Sequence, residues 1–154
     1  MFGSDSSRLT AGLLLLVLLT LTAYAGVIGL GFVWDDRALV LENALIQDLR
    51  MVPGYFSLDL WSTEADVVSS GYYRPLMLLS LAVDHALFGQ EPAGYHLHSL
   101  LWHLLSIGSL SLFLRRLVSP EAALMGAALF ALHPIQSETV VWIAARNDSM
   151  AATF

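Results

Sequence analysis

No charged side chain occurs between Arg8 and Asp35. A helix over residues 9–33 rises ~1.5 Å per residue and clears the ~30 Å hydrocarbon core of a bilayer. Immediately after this run come Trp34, Asp35, Asp36 and Arg37, so two adjacent carboxylates stand where the chain leaves hydrocarbon and meets water. A side chain there can reach a membrane-carried molecule from the aqueous side. Taken alone, an Asp-Asp pair also suits a solvated loop or a helix cap. The string Ala23-Tyr24-Ala25-Gly26 resembles a signal-peptidase site, but the apolar run continues through Val27, Ile28, Leu30, Phe32 and Val33. That continuation favours an uncleaved signal anchor.

The rest of the chain fits the same environment. Of 154 residues, 56% are hydrophobic and 13% charged, outside the usual range of soluble domains. There is no cysteine, so neither a disulfide framework nor a thiolate metal site can form. The seven basic residues are all arginine, and the net charge is −6. Between Trp34 and Tyr73, seven acids (Asp35, Asp36, Glu42, Asp48, Asp59, Glu64 and Asp66) face only Arg37 and Arg50. No basic stripe exists to neutralise phosphates, which excludes nucleic acid as a natural partner.

Further spans follow from charge and breaker placement. Residues 94–114 are free of formal charge and end at Arg115-Arg116. With Arg8, these arginines mark the cytoplasmic side by the positive-inside rule. Ser119-Pro120-Glu121 reads as a helix start, with Ser as N-cap, Pro first and Glu at the positive end of the dipole. It opens a third span over 120–134, interrupted near Pro134, and a fourth begins near 146–154. This predicts an all-α, polytopic integral membrane protein with a large first extracytoplasmic loop over 34–93. Tyr55, Phe56, Trp61, Tyr72 and Tyr73 in that loop are headgroup-favouring types. The apolar stretch 75–88, with Ser80 and Asp84 on one side, reads as a helix too short to span and lying at the interface or between other helices.

Under this topology Asp35, Asp36, Arg74, His133, Glu138 and Arg146 all map to the outer face. A carboxylate can accept the proton of an attacking hydroxyl, and arginine offers fixed donors to a departing phosphate. Two carboxylates and two guanidiniums on one membrane surface therefore suit transfer from a lipid phosphate. Arg74 or Arg146 taken singly also suits pairing with an acid or a lipid headgroup. His96 and His103 share one helical face with His98 nearly opposite. With no third ligand at suitable spacing, hydrogen bonding between helices fits them better than metal ligation.

Several strings in order resemble one family. They are Phe32-Val33-Trp34-Asp35-Asp36, Asn43, Tyr73-Arg74-Pro75-Leu76, Gly94-Tyr95-His96 and His103, then His133-Pro134-Ile135-Gln136-Ser137-Glu138-Thr139-Val140 and Ala145-Arg146-Asn147-Asp148. Together they resemble the N-terminal part of the TMTC-like glycosyltransferases, relatives of the protein O-mannosyltransferases within the GT-C membrane fold. Members often carry C-terminal tetratricopeptide repeats. The resemblance implies inverting transfer of a sugar, often mannose, from a polyprenyl- or dolichyl-phosphate donor to a hydroxyl acceptor on the extracytoplasmic side. The acceptor would be protein Ser or Thr. The resemblance further implies Asp35 as base, with Asp36 orienting it or contacting the acceptor, and donor-phosphate or acceptor contacts from Arg74, His133, Glu138 and Arg146. No cofactor is implied, and dependence on a divalent metal stays open. Two positions depart from the pattern: Ser99, where Asn is expected, and Gln136, where a second His is common. The 154 residues alone, as a fragment of such a domain, are expected to be inactive. Two other readings use the same fold: transfer to a glycolipid or cell-wall polymer, and a non-catalytic membrane assembly protein.

Overall fold

The computed structural model describes the backbone of residues 3–62 and 70–154 and the side chains of residues 9–62 and 70–154. Glu64 and Asp66 of the acidic segment, and the Arg8 side chain used as an orientation marker, lie outside these. The described residues form helices and turns with no strand, as the all-α reading expects.

Helix α1 spans Gly3–Ala23 and continues into a 3-10 turn over Ala25–Gly29. Its leucines are good helix formers. Its two late hydroxyls are satisfied within the helix, Thr20 Oγ1 donating to the Leu16 carbonyl at 2.9 Å and Thr22 Oγ1 to the Leu18 carbonyl at 2.8 Å. Such back-bonding lets a polar side chain sit in apolar surroundings. Residues 30–33 leave the helix, with Leu30 in an extended conformation. The apolar stretch therefore ends as a strap rather than as a last helical turn.

A short helix α2, Ala44–Gln47, and a 3-10 segment, Leu49–Ser57, fold the loop back on itself. Asn43 caps α2 by accepting from the Leu45 amide, and the Tyr55 hydroxyl donates to the Leu45 carbonyl at 2.8 Å. Helix α3 covers Pro75–Phe88, the limits expected for the short apolar helix. Proline sets its first turn, and Gly89 ends it at φ 59°, the left-handed region that a side chain disfavours. Helix α4, Pro92–Leu114, follows at once. A Cβ on Gly94 would lie 2.2 Å from the Phe88 ring, so this glycine allows the end of α3 to press against the start of α4.

Helix α5, Pro120–Leu132, starts as expected, with the Ser119 hydroxyl accepting from the Ala122 amide. It stops before His133-Pro134, where His133 is extended. Its thirteen residues rise about 20 Å, less than the hydrocarbon core. Helices α6, Gln136–Val141, and α7, Arg146–Thr153, complete the chain.

Three buried clusters hold these elements. The largest joins loop residues Leu39, Val40, Leu45, Ile46, Tyr55 and Leu60 to α3 and to Ile143, Ala144 and Met150. A second places Ala127 and Ala131 of α5 against Leu16 of α1 and Ile107 of α4, small residues allowing close helix approach. A third joins Tyr24 and Val27 to Leu100 and Val140. Among the described residues two helical stretches, Leu9–Gly29 and Pro92–Leu114, are long and apolar enough to cross a membrane. Much of their leucine surface stays exposed, including Leu14, Leu15, Leu18, Leu97, Leu101 and Leu112. Such continuous apolar faces are compatible with association with a membrane.

Candidate functional site

A tight turn at the end of the first apolar run sends the two aspartates in opposite directions. The Asp36 amide donates to the Val33 carbonyl at 2.9 Å and the Arg37 amide to the Trp34 carbonyl at 3.2 Å. Trp34 takes φ 45°, a costly conformation for a bulky residue and one that concentrates at functional sites. Its exposed indole meets Trp142 edge to face at 5.9 Å between centroids. The turn leaves Asp35 half-buried at a cavity wall and puts Asp36 into the core, fully buried.

Asp36 works as a tie. Its Oδ2 accepts from the Val33 amide at 3.2 Å, and its Oδ1 accepts from the Ala144 amide at 2.8 Å. Loss of water around the carboxylate raises its pKa, while the backbone donors pull the other way and lose.

The cavity reached by Asp35 encloses about 300 Å³. Its walls carry Asp35, Arg74, Glu138, Asn147 and Asp148, with aromatic surface from Trp61, Tyr72 and Trp142. Residues from four distant parts of the chain thus meet at the end of the first apolar stretch. Arg74 is the N-cap residue of α3. Its Nη1 donates to Asn147 Oδ1 at 3.0 Å, and its guanidinium lies 5.1 Å from the centre of the Tyr72 ring, within cation–π range.

Asp59 holds the cavity's rim. Its carboxylate accepts from the backbone amides of Trp61, Ser70, Gly71 and Tyr72, and from the Ser70 hydroxyl. The Ser70 hydroxyl and the amides of Trp61, Gly71 and Ser70 hold its pKa below the ordinary carboxylate value. The Trp61 and Tyr72 amides are thereby fastened to one carboxylate.

Of the six residues singled out from sequence, Asp35, Arg74 and Glu138 meet in this cavity. Asp36 lies behind the wall, on the amide of cavity residue Ala144. His133 lies beside a separate apolar hollow with Met125, Leu129 and Leu132, its Nδ1 accepting from the Ile135 amide. In place of an exposed contact, Arg146 is completely buried. Its guanidinium donates to Ser80 Oγ at 2.9 Å, Ser99 Oγ at 3.0 Å, the Tyr95 carbonyl at 2.8 Å and Asp84 Oδ2. Asp84, also fully buried, takes the Nδ1 of His98 on its other oxygen. Ser99, which departs from the expected Asn, is one of the four partners.

Asn147, Asp148, Trp61, Tyr72 and Trp142 were not singled out as site residues. The string Ala145-Arg146-Asn147-Asp148 was the available signal, but nothing in it shows that Asn147 turns to the cavity while Arg146 turns away. Among the histidines, His103 Nε2 pairs with the Ala131 carbonyl of α5 at 3.1 Å, an interhelical bond of the expected kind. Among the described residues no group of three His, Cys, Asp or Glu side chains is placed to hold a metal ion.

Comparison with known proteins gives a consistent set of relatives. The chain is 33% identical over 132 residues to Protein O-mannosyl-transferase Tmtc1 of Drosophila melanogaster, covering 84% of this chain and 15% of that protein. Against Tmtc2 of the same organism the identity is 35% over 136 residues, 86% of this chain and 14% of the relative. Human TMTC2 is 32% identical over 139 residues, 88% of this chain and 16% of its own length. The chain therefore spans about one-seventh of these relatives. No family model and no solved structure matches it.

Proposed function

We propose, from a chain that is TMTC-like over most of its length, that it forms the N-terminal part of a multi-pass GT-C glycosyltransferase. The protein would move a sugar, mannose in the first instance, from a polyprenyl- or dolichyl-phosphate carrier to a Ser or Thr hydroxyl of a protein. The site would face the extracytoplasmic side. The relatives' names supply the sugar and the protein acceptor. The observation that carries the reading is the shared cavity of Asp35 and Arg74 beside the end of an apolar stretch long enough to span.

The chemistry assigns a part to each wall. The acceptor hydroxyl oxygen attacks the anomeric carbon and gives its proton to Asp35. The bond from that carbon to the phosphate oxygen breaks, and the electron pair leaves with the phosphate. Arg74 stabilises the charge gathering on the phosphate oxygens. Glu138 would accept from acceptor or sugar hydroxyls, and Trp61, Tyr72 and Trp142 would supply apolar surface for a sugar ring. Asp36 and Arg146 act from behind by fixing residues 144–147. On this reading a lipid phosphate presents its head to the cavity from the end of the apolar stretch while its tail stays in hydrocarbon.

The test is transfer from dolichyl phosphate mannose to a Ser/Thr peptide by the full-length membrane-embedded protein. Asp35→Asn keeps shape and hydrogen bonding but cannot take a proton at neutral pH. It is expected to lower the rate by about 10²–10⁴-fold with normal membrane insertion. Parent-level transfer by Asp35→Asn removes it as base.

A further inference from the structure

We propose that Asn147 is a positioning residue that holds Arg74 in the cavity as a charged donor without neutralising it. This rests on the reading of Arg74 as the phosphate contact. Arg74 and Asn147 are 73 positions apart, yet Nη1 of one meets Oδ1 of the other at 3.0 Å. The amide's own orientation is fixed, because Asn147 Nδ2 donates to Asp148 Oδ1 at 2.5 Å. With its nitrogen on Asp148, the amide presents its oxygen to Arg74.

Three further observations single this contact out. The Tyr72 ring supports the guanidinium face, 5.1 Å away, so face and one edge of the group are held together. Among the described residues, Arg74 makes no other side-chain hydrogen bond and no salt bridge. Its Nε and Nη2 remain to meet a ligand. The buried arginine gives the contrast: Arg146 is neutralised by buried Asp84 and spent on four partners.

Residue type is therefore the informative variable. A neutral acceptor orients a cation and leaves its charge for the ligand. A carboxylate of the same shape would orient it too, but would compete with the phosphate for it. This predicts an unusual order: the isosteric Asn147→Asp should harm donor binding at least as much as Asn147→Ala, which removes the contact.

The experiment is steady-state transfer by the full-length protein in membranes, with dolichyl phosphate mannose varied at saturating Ser/Thr peptide. Asn147→Ala is expected to raise KM for the donor about 3–10-fold, and Asn147→Asp about 10-fold or more, each with kcat within about two-fold of the parent. If Asn147→Ala fails to insert, Asn147→Asp carries the test. A parent-like KM in Asn147→Asp, or a fall in kcat at unchanged KM, overturns the positioning role. Arg74→Gln separates the two levels. If it raises KM while both Asn147 variants match the parent, this inference alone fails. Unchanged KM and kcat in Arg74→Gln, or no transfer by the parent from this donor, removes the underlying reading and this inference with it.

Discussion

Asp36 accepts a hydrogen bond from the backbone amide of Ala144 across 108 positions of sequence, at 2.8 Å and fully buried. That contact helps join the turn bearing Asp35 to the segment leading into α7, whose first turn bears Arg146, Asn147 and Asp148. The cavity exists because those two turns meet.

Asp36 sets a pH dependence. Burial raises its pKa above the ordinary carboxyl range, so protonation stabilises the folded form. That contribution is complete below the unfolded pKa and is lost as pH rises through the folded one. The melting temperature of Asp36→Asn, which carries no such charge, should gain on the parent as pH rises above the ordinary Asp value of about 4. A gap that stays flat or shrinks over this range would contradict the buried carboxylate. Asp36→Ala, which leaves the Ala144 amide unpartnered, should cost about 1–3 kcal/mol at low pH and less as pH rises.

Asp84 and Arg146 should behave as one unit. Asp84→Leu leaves a buried guanidinium without its counter-charge, at a cost of about 3–5 kcal/mol. Adding Arg146→Met should recover a large part of that loss, so the double variant is more stable than the two single effects summed. Thermal unfolding of the four proteins in detergent gives the cycle. Simple additivity would mean the pair is not coupled.

Asp59 should govern the aromatic rim. Asp59→Ala removes the acceptor for the amides of Ser70, Gly71 and Tyr72, and their hydrogen exchange should accelerate well beyond that of α3. Because its carboxyl pKa is lowered, the bonds to Asp59 are at full strength above the ordinary Asp range and are lost as pH falls through the folded value. The parent's rim amides should therefore lose protection on acidification, whereas the Asp59→Ala protein shows no such transition.

Topology can be read at the two ends of α4. The chain lacks cysteine, and Glu91 and Leu117 are exposed. An impermeant maleimide should label Glu91→Cys in intact cells or in sealed vesicles of matching orientation. Leu117→Cys should react only after permeabilisation. The reverse pattern would put the cavity on the cytoplasmic side and remove a lumenal or extracellular donor from the mechanism.

Part of this was legible from local signals. Ser119-Pro120 begins a helix where a cap and a first-turn proline say it should, and 75–88 has helix limits set by Pro75 and Gly89. The acid pair and Arg74 carried enough local signal to be picked out. The different fates of Asp35 and Asp36 did not, because a left-handed Trp34 decides which carboxylate faces the cavity. Ser80 and Asp84 could be placed on one side of a helix, but not against Arg146 of another.

The sequence by itself determined the apolar runs, the limits of α3 and the start of α5, the chemical repertoire and the family likeness. These depend on residue type and on spacings of a few residues, where backbone geometry leaves little choice. Only the tertiary structure decided that Arg146 is spent on the core while Arg74 is held at the cavity by Asn147. Both are arginines in polar strings, and their roles follow from partners 47 to 73 residues distant. Such pairings are chosen by which buried charge finds its counter-charge when the helices pack, a condition that no local stretch of sequence contains.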